Sequence, residues 1–359
     1  MYAVAQPTSF PASAGVGGNN SNSYYGDQAG LVNTGTNNTF IGAASGLNCT
    51  TGVSNTFLGS FAGGSSIDGV NNTFVGSNSG GAASGSNNTF IGGSSGLNNS
   101  GELNVFIGSF AGINNFGNHN LFAGANSGYF NTDGQFNTFL GSGSGRENVS
   151  GNGNVFVGYQ SGEHNNNGTW NTFVGFSSGA NNTSGNSNSF FGYFSGVSNT
   201  GNSNTFLGGQ SGISNSTGSQ NTFVGTNSGY ANTTGTGNVF LGQSSGSANT
   251  TGSDNTFVGL FSGGVSTGNN NTYVGRSAGQ NSVNGSNNVF LGANAGEFEL
   301  GSNRLYISNS SVNNPLVWGN FSDAQLHFNA AVGIGLDPNA GVLPTADFDL
   351  AGTARLRSL

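Results

Sequence analysis

One pentapeptide governs this chain. It reads Asn, then Thr, Val, Ser or Leu, then Phe or Tyr, then a mostly apolar residue, then Gly. It begins at Asn22 and returns at Asn38, Asn55, Asn72, Asn88, Asn104, Asn120, Asn137, Asn154, Asn171, Asn188, Asn204, Asn221, Asn238, Asn255, Asn271 and Asn288, at spacings of 16 or 17 residues. A second Gly holds the ninth place of every repeat, and a third stands three residues before the next Asn, as Gly52 does before Asn55. The single residue of length variation always falls between the second and third glycines, which marks that stretch as a loop.

A period this short leaves no room for a pair of packed helices. Phe beside Val, Ile or Leu, with Thr and few helix formers, reads as a short strand, and glycines at fixed corners supply tight turns. The expected fold is all-β, a parallel β-solenoid or β-roll of about 17 coils. At about 4.8 Å per coil the array predicts a rod of roughly 80 Å. No Pro occurs between Asn22 and Arg304, as an uninterrupted strand ladder requires.

Alternation along the strand assigns the faces. Phe40, Phe57, Phe74, Phe90, Phe106, Phe139, Phe156 and Phe173 form the expected interior column, and the Asn column is expected to run as a side-chain amide ladder. The second and fourth residues point the other way. There Ile41, Leu58, Val75, Ile91, Ile107, Leu140 and Val157 make an apolar stripe too long to face water. That stripe predicts an inter-chain seam, with a homotrimer as the expected closed arrangement and end-to-end filaments as an extension of it.

Composition excludes several classes of function. Only 5% of the residues are charged, against about 25% in ordinary soluble domains. The net charge is −8 and five Arg are the only Lys or Arg residues, so neither nucleic acid nor an anionic lipid surface is an expected partner. No apolar run approaches the roughly 20 residues of a spanning helix, and no membrane insertion is expected. A single cysteine, Cys49, permits no internal disulfide. It reads as a small residue where other coils carry Asn or Ser, with a thiol contact between chains as the alternative. Acidic residues are too scattered for calcium-binding repeats, and no cofactor is expected.

Three segments follow from these patterns. Residues 1–21, with two prolines, read as an N-terminal cap or linker, and Met1–Gln6 as the remnant of a secretory leader. Residues 22–303 are the solenoid array. Residues 304–359 read as a β-rich cap or neck of four or five short strands, carried by Leu305-Tyr306-Ile307, Pro315-Leu316-Val317-Trp318, Leu326-His327-Phe328 and Val332-Gly333-Ile334-Gly335.

The array, with Asn-Thr-Phe-Val-Gly followed by Ser-Gly four residues later, resembles the β-roll heads of trimeric autotransporter adhesins of the YadA type. Its coil is two or three residues longer than theirs, and Phe stands where they usually carry a small residue. The stretch from Leu305 through Trp318 and Val332-Gly333-Ile334-Gly335 to Leu350-Ala351-Gly352-Thr353-Ala354-Arg355 resembles a segment of tail-fibre-like surface proteins, in which an intramolecular chaperone often follows. Together these resemblances imply an extracellular location, on a cell surface or a virion-like fibre, and a surface glycan or host receptor as partner.

The array has one charged cluster. Arg146 and Glu163 hold the same place in adjacent coils, as do Glu147 and His164, and Trp170 closes the second of those coils. These five residues are either a ligand patch with Trp170 as a stacking platform, or a pair of surface salt bridges worth less than about 1 kcal/mol each. Three functional readings follow. The first and preferred one is a non-catalytic structural and adhesive fibre. The second is an ice-binding solenoid using the column of Thr39, Thr56, Thr73 and Thr89, opposed by the bulky Tyr25, Leu121 and Phe191. The third, ranked last, is a polysaccharide-cleaving enzyme using Glu147 and Glu163.

Overall fold

Thr, Phe and an aliphatic residue in alternation build one three-residue strand per coil in the computed structural model, which describes residues 21–311, 314–330, 332–334 and 348–350. Among the described residues there is no helix, and the architecture is a parallel β-solenoid of about 17 coils. The chain divides into two compact units between Asn221 and Thr222.

In the first unit, strands run from Ser23–Tyr25 to Thr205–Leu207, one per coil. Each pairs in parallel with the next, and like residues stand opposite one another, so that Phe40 faces Phe57 and Ile41 faces Leu58. Register therefore repeats without slip. The third-position rings stack face to face, Phe40 on Phe57 at 4.7 Å between centroids and Phe57 on Phe74 at 4.7 Å with planes 2° apart. All of the expected interior Phe side chains are fully buried. The core is this single file of rings, with one aromatic residue per coil.

Two of the glycine columns show why the coil can be so thin. Gly46 lies directly under the ring of Phe40, where a Cβ would come within 2.6 Å of ring carbon, and its φ is +58°. The third glycine needs no such φ. At Gly35 a Cβ would fall 1.9 Å from the carbonyl oxygen of Gly52, so that corner is glycine because successive coils approach too closely for anything larger.

The second unit carries the same ladder from Thr222–Val224 to Val289–Leu291. Arg304–Ile307 continues it in parallel register, with Tyr306 opposite Phe290, although the repeat motif has already lapsed there. The chain then reverses. Val317–Asn320 and Gln325–Phe328 add antiparallel strands, and Val332–Ile334 pairs with Phe348–Leu350 in a separate two-stranded sheet. These are the short strands expected of the C-terminal segment. The expected cap within residues 1–20, and the stretch from Ala351 to Arg355, lie outside the described residues.

Tyrosines occupy the first and last described rungs of the aromatic file. The Tyr24 hydroxyl donates to Asn33 Oδ1 at 2.7 Å, and the Tyr306 hydroxyl donates to the Glu299 carboxylate. Burial, aided by nearby Cys49, pushes the Tyr24 phenol up to about 12, and burial together with Glu299 does the same for Tyr306. A raised phenol favours the folded state while it stays protonated. That contribution is complete below the ordinary tyrosine value of about 10 and is lost as pH rises toward 12. Ultraviolet titration of phenolate absorbance should therefore show a late component in the folded protein that shrinks in Tyr306→Phe.

Candidate functional site

The polar residues that recur from coil to coil are committed to holding neighbouring coils. Asn38 Oδ1 accepts the backbone N–H of Asn55 at 2.9 Å, and Asn55 Nδ2 donates to the Gly69 carbonyl at 2.7 Å. The same pair of bonds recurs along the first-position column, for example at Asn154 and Asn171. The expected amide ladder is thus mainly a side-chain-to-backbone ladder. It satisfies corner carbonyls and N–H groups that would otherwise be buried without partners. At Arg304 the backbone N–H still donates to Asn288 Oδ1, but no amide follows to pass the ladder on. Its guanidinium instead lies 5.8 Å from the Trp318 ring centre.

Residues at the twelfth position form a second ladder that sequence reasoning did not assign. From Asn131 to Asn215 each buried amide donates to the Oδ1 of the preceding coil, as Asn148 does to Asn131 at 2.6 Å and Asn165 to Asn148 at 2.7 Å. Each also folds back onto its own third glycine, Asn148 to the Gly151 carbonyl at 2.9 Å. Cys49 occupies this same column and is fully buried. Burial pushes its thiol up, which keeps it protonated and unreactive, and no face of it is open to a second chain.

The outer face is apolar as expected. Ile41, Leu58, Ile91 and Ile107 are exposed, Leu58 by 45%, while Val75, Leu140 and Val157 are half-buried. The Thr column stands beside them in register, and Tyr25, Leu121 and Phe191 project from the same face.

The charged cluster assembles as the spacing implies. Arg146 Nη1 lies 3.4 Å from Glu163 Oε1 and 3.9 Å from Glu147, and His164 Nδ1 lies 2.7 Å from Glu147 Oε2. Glu147 and Glu163 are thus each held against a basic group. Trp170 is elsewhere. It belongs to the column just before the strand, where its six-membered ring lies over Gly153 and its side chain is 65% exposed.

Beside Arg146 and Glu163 lies an open groove of about 440 Å³. Its lining includes Tyr129 from the seventh coil, Gly143 from the eighth, and Tyr159 and Gln160 from the ninth. Phe176 stacks on one face of Tyr159 at 5.4 Å and fixes the ring's orientation. The sequence signal for this groove was available but faint. The seventh position carries a side chain in every other coil, from Gln28 to Asn294, and only the eighth has Gly there.

Among the described residues no three His, Cys, Asp or Glu side chains are placed to hold a metal ion, and no helix is long and apolar enough to cross a membrane. Comparison with known protein families, with curated proteins and with solved structures finds no match to this chain.

The twelfth-position ladder predicts unequal costs along one column. Asn148→Ala removes bonds on both sides and leaves buried groups unpaired, so denaturant unfolding should register a loss of about 1–3 kcal/mol. The Asn99 amide makes no hydrogen bond to protein. Asn99→Ala, which installs the residue that Ala83 already supplies one coil earlier, should cost nothing measurable.

Proposed function

We propose that this chain is a non-catalytic structural and adhesive fibre protein, working outside the cell by self-association and surface attachment. The observation that carries the reading is the use made of the invariant residues. The first-position Asn, third-position ring and fixed glycines are consumed in stacking one coil on the next. Selection on the repeat is then selection for continuation of the stack. The carboxylates that an enzyme would need, Glu147 and Glu163, are held by Arg146 and His164.

The exposed fourth-position stripe supports association of chains. Rows of Ile, Leu and Val side chains remain open to solvent on one face of a strand ladder, and covering them with like stripes from other copies removes that apolar surface from water. Three copies around one axis is the arrangement proposed. The resemblance to trimeric adhesin heads and to tail-fibre-like surface proteins points the same way.

Ice binding is the second reading, favoured by the in-register column of Thr39, Thr56 and Thr73 on an open face. The exposed rings of Tyr25 and Phe191 roughen that face.

Light scattering decides between them. The fibre reading expects a mass of three times 35.9 kDa, or multiples of it. It further expects dissociation when Leu58→Asp and Ile107→Asp place charges in the stripe. A single-chain mass together with thermal hysteresis would replace the fibre with the ice-binding reading.

A further inference from the structure

Three changes of side chain meet at the groove beside Gly143. The seventh position loses its side chain, and little beyond Gln160 Cγ at 3.4 Å approaches the place where a Cβ would stand. The tenth position, aliphatic in Leu47, Leu97, Ile113, Val197 and Ile213 and variable elsewhere, is Tyr129, Arg146 and then Glu163 in three successive coils. The sixth position, small in Ala43, Ser60, Ser109 and Ser142, is aromatic in three successive coils, at Tyr159, Phe176 and Tyr193, and the Tyr159 ring leans on Phe176 and is half exposed. A surface salt bridge alone would need only the second change, and it would return less than about 1 kcal/mol.

The chemistry of the lining selects a ligand class. Tyr129 and Tyr159 offer flat apolar faces with polar tips, which suit the mixed surface of a pyranose ring. Arg146, Gln160 and Glu163 supply donors and acceptors within the same depression, and hydroxyl groups can use both. Glu163 is held in place, its side chain 12% exposed, with one oxygen on Arg146 and the other 3.8 Å from His164 Nε2. The volume lies within the range of small-ligand sites. Charge decides between sugar types. One cation, already shared, stands against the two carboxylates Glu147 and Glu163, and the whole chain carries −8. An anionic sugar is repelled there, whereas a neutral one is not.

We infer that the groove lined by Tyr129, Gly143, Arg146, Tyr159, Gln160 and Glu163 is a binding site for neutral saccharides. Tyr129 and Tyr159 act as its stacking walls, and Arg146, Gln160 and Glu163 as its hydroxyl-binding groups. This inference deepens the adhesive part of the proposed function and rests on that part alone. The number of chains in the assembly is not a premise.

The test uses the full chain on an array of neutral oligosaccharides built from glucose, galactose, mannose and N-acetylglucosamine, beside sialylated and uronate-bearing controls. Wild type should bind at least one neutral saccharide in preference to the anionic controls. Gly143→Gln refills the notch with the residue that Gln160 carries at a similar backbone angle one coil later, φ 52° against +67°, so the variant should fold. It should weaken binding at least about tenfold, as should Tyr159→Ser, which removes a stacking wall. Trp170→Ala, on another column, should bind as wild type. Absence of neutral-saccharide binding, preference for the anionic controls, or undiminished binding by Gly143→Gln would overturn the inference. Solution mass measured on the same samples keeps the two proposals apart. A trimer that binds no sugar contradicts only the groove, and a single chain that binds contradicts only the assembly.

Discussion

From Phe40 to Phe206 the interior rings stand 4.7 to 4.9 Å apart. That is the spacing which hydrogen bonds between neighbouring strands impose, about 4.7–4.9 Å. Two interactions of different kinds therefore share one repeat distance, and neither strains the other. Area burial at the core and hydrogen bonding at the strand are satisfied by the same displacement from coil to coil. The other fixed positions follow from it. A glycine must lie under each ring because the ring fills the coil's width, and another must lie where two coils touch backbone to backbone. Asn and Ser side chains answer carbonyls left inside. The eighth-position Ser does this for the strand itself, as when Ser161 Oγ donates to the Phe173 carbonyl at 3.0 Å.

Features repeated in every coil were legible in the sequence. The Phe column, the parallel register, the pairing of Arg146 with Glu163 and of Glu147 with His164, and the outward stripe all follow from spacing and alternation. Two features were obscured for identifiable reasons. The twelfth-position column carries Cys49, Ser66, Ala83, Ser266, Ser282 and Glu299 among its Asn residues, so it does not show the invariance that marked the first Asn. The groove depends on residues from three successive coils and on one glycine among 67, and no single segment displays it. Trp170 illustrates a further limit. Nearness in sequence to Glu163 suggested a shared patch, but in a coil of this size seven residues carry the chain around to another column.

This architecture separates two roles. Coil-fixed residues hold the stack, and the loop and corner positions between them are free to vary without disturbing it. Aromatic residues at those variable places, such as Phe110, Tyr159 and Phe176, are exposed yet anchored by neighbours one coil away. A fibre that must present different surfaces on one invariant scaffold gains from this division. Substitution at the corner changes the surface presented while the ladder beneath continues.

The central claim is that the coil, from one Asn to the next, is the unit of folding. Excision of Asn188–Ser203, one complete coil, lets Asn204 take the place of Asn188 and preserves every column. Excision of Asn188–Ser195 removes a similar type of sequence but breaks the register. Circular dichroism with thermal unfolding on this pair tests the claim most directly. The account predicts that the full-coil deletion keeps the β spectrum and a cooperative transition, while the half-coil deletion loses cooperative structure. Equal tolerance of both deletions, or equal loss in both, would contradict it.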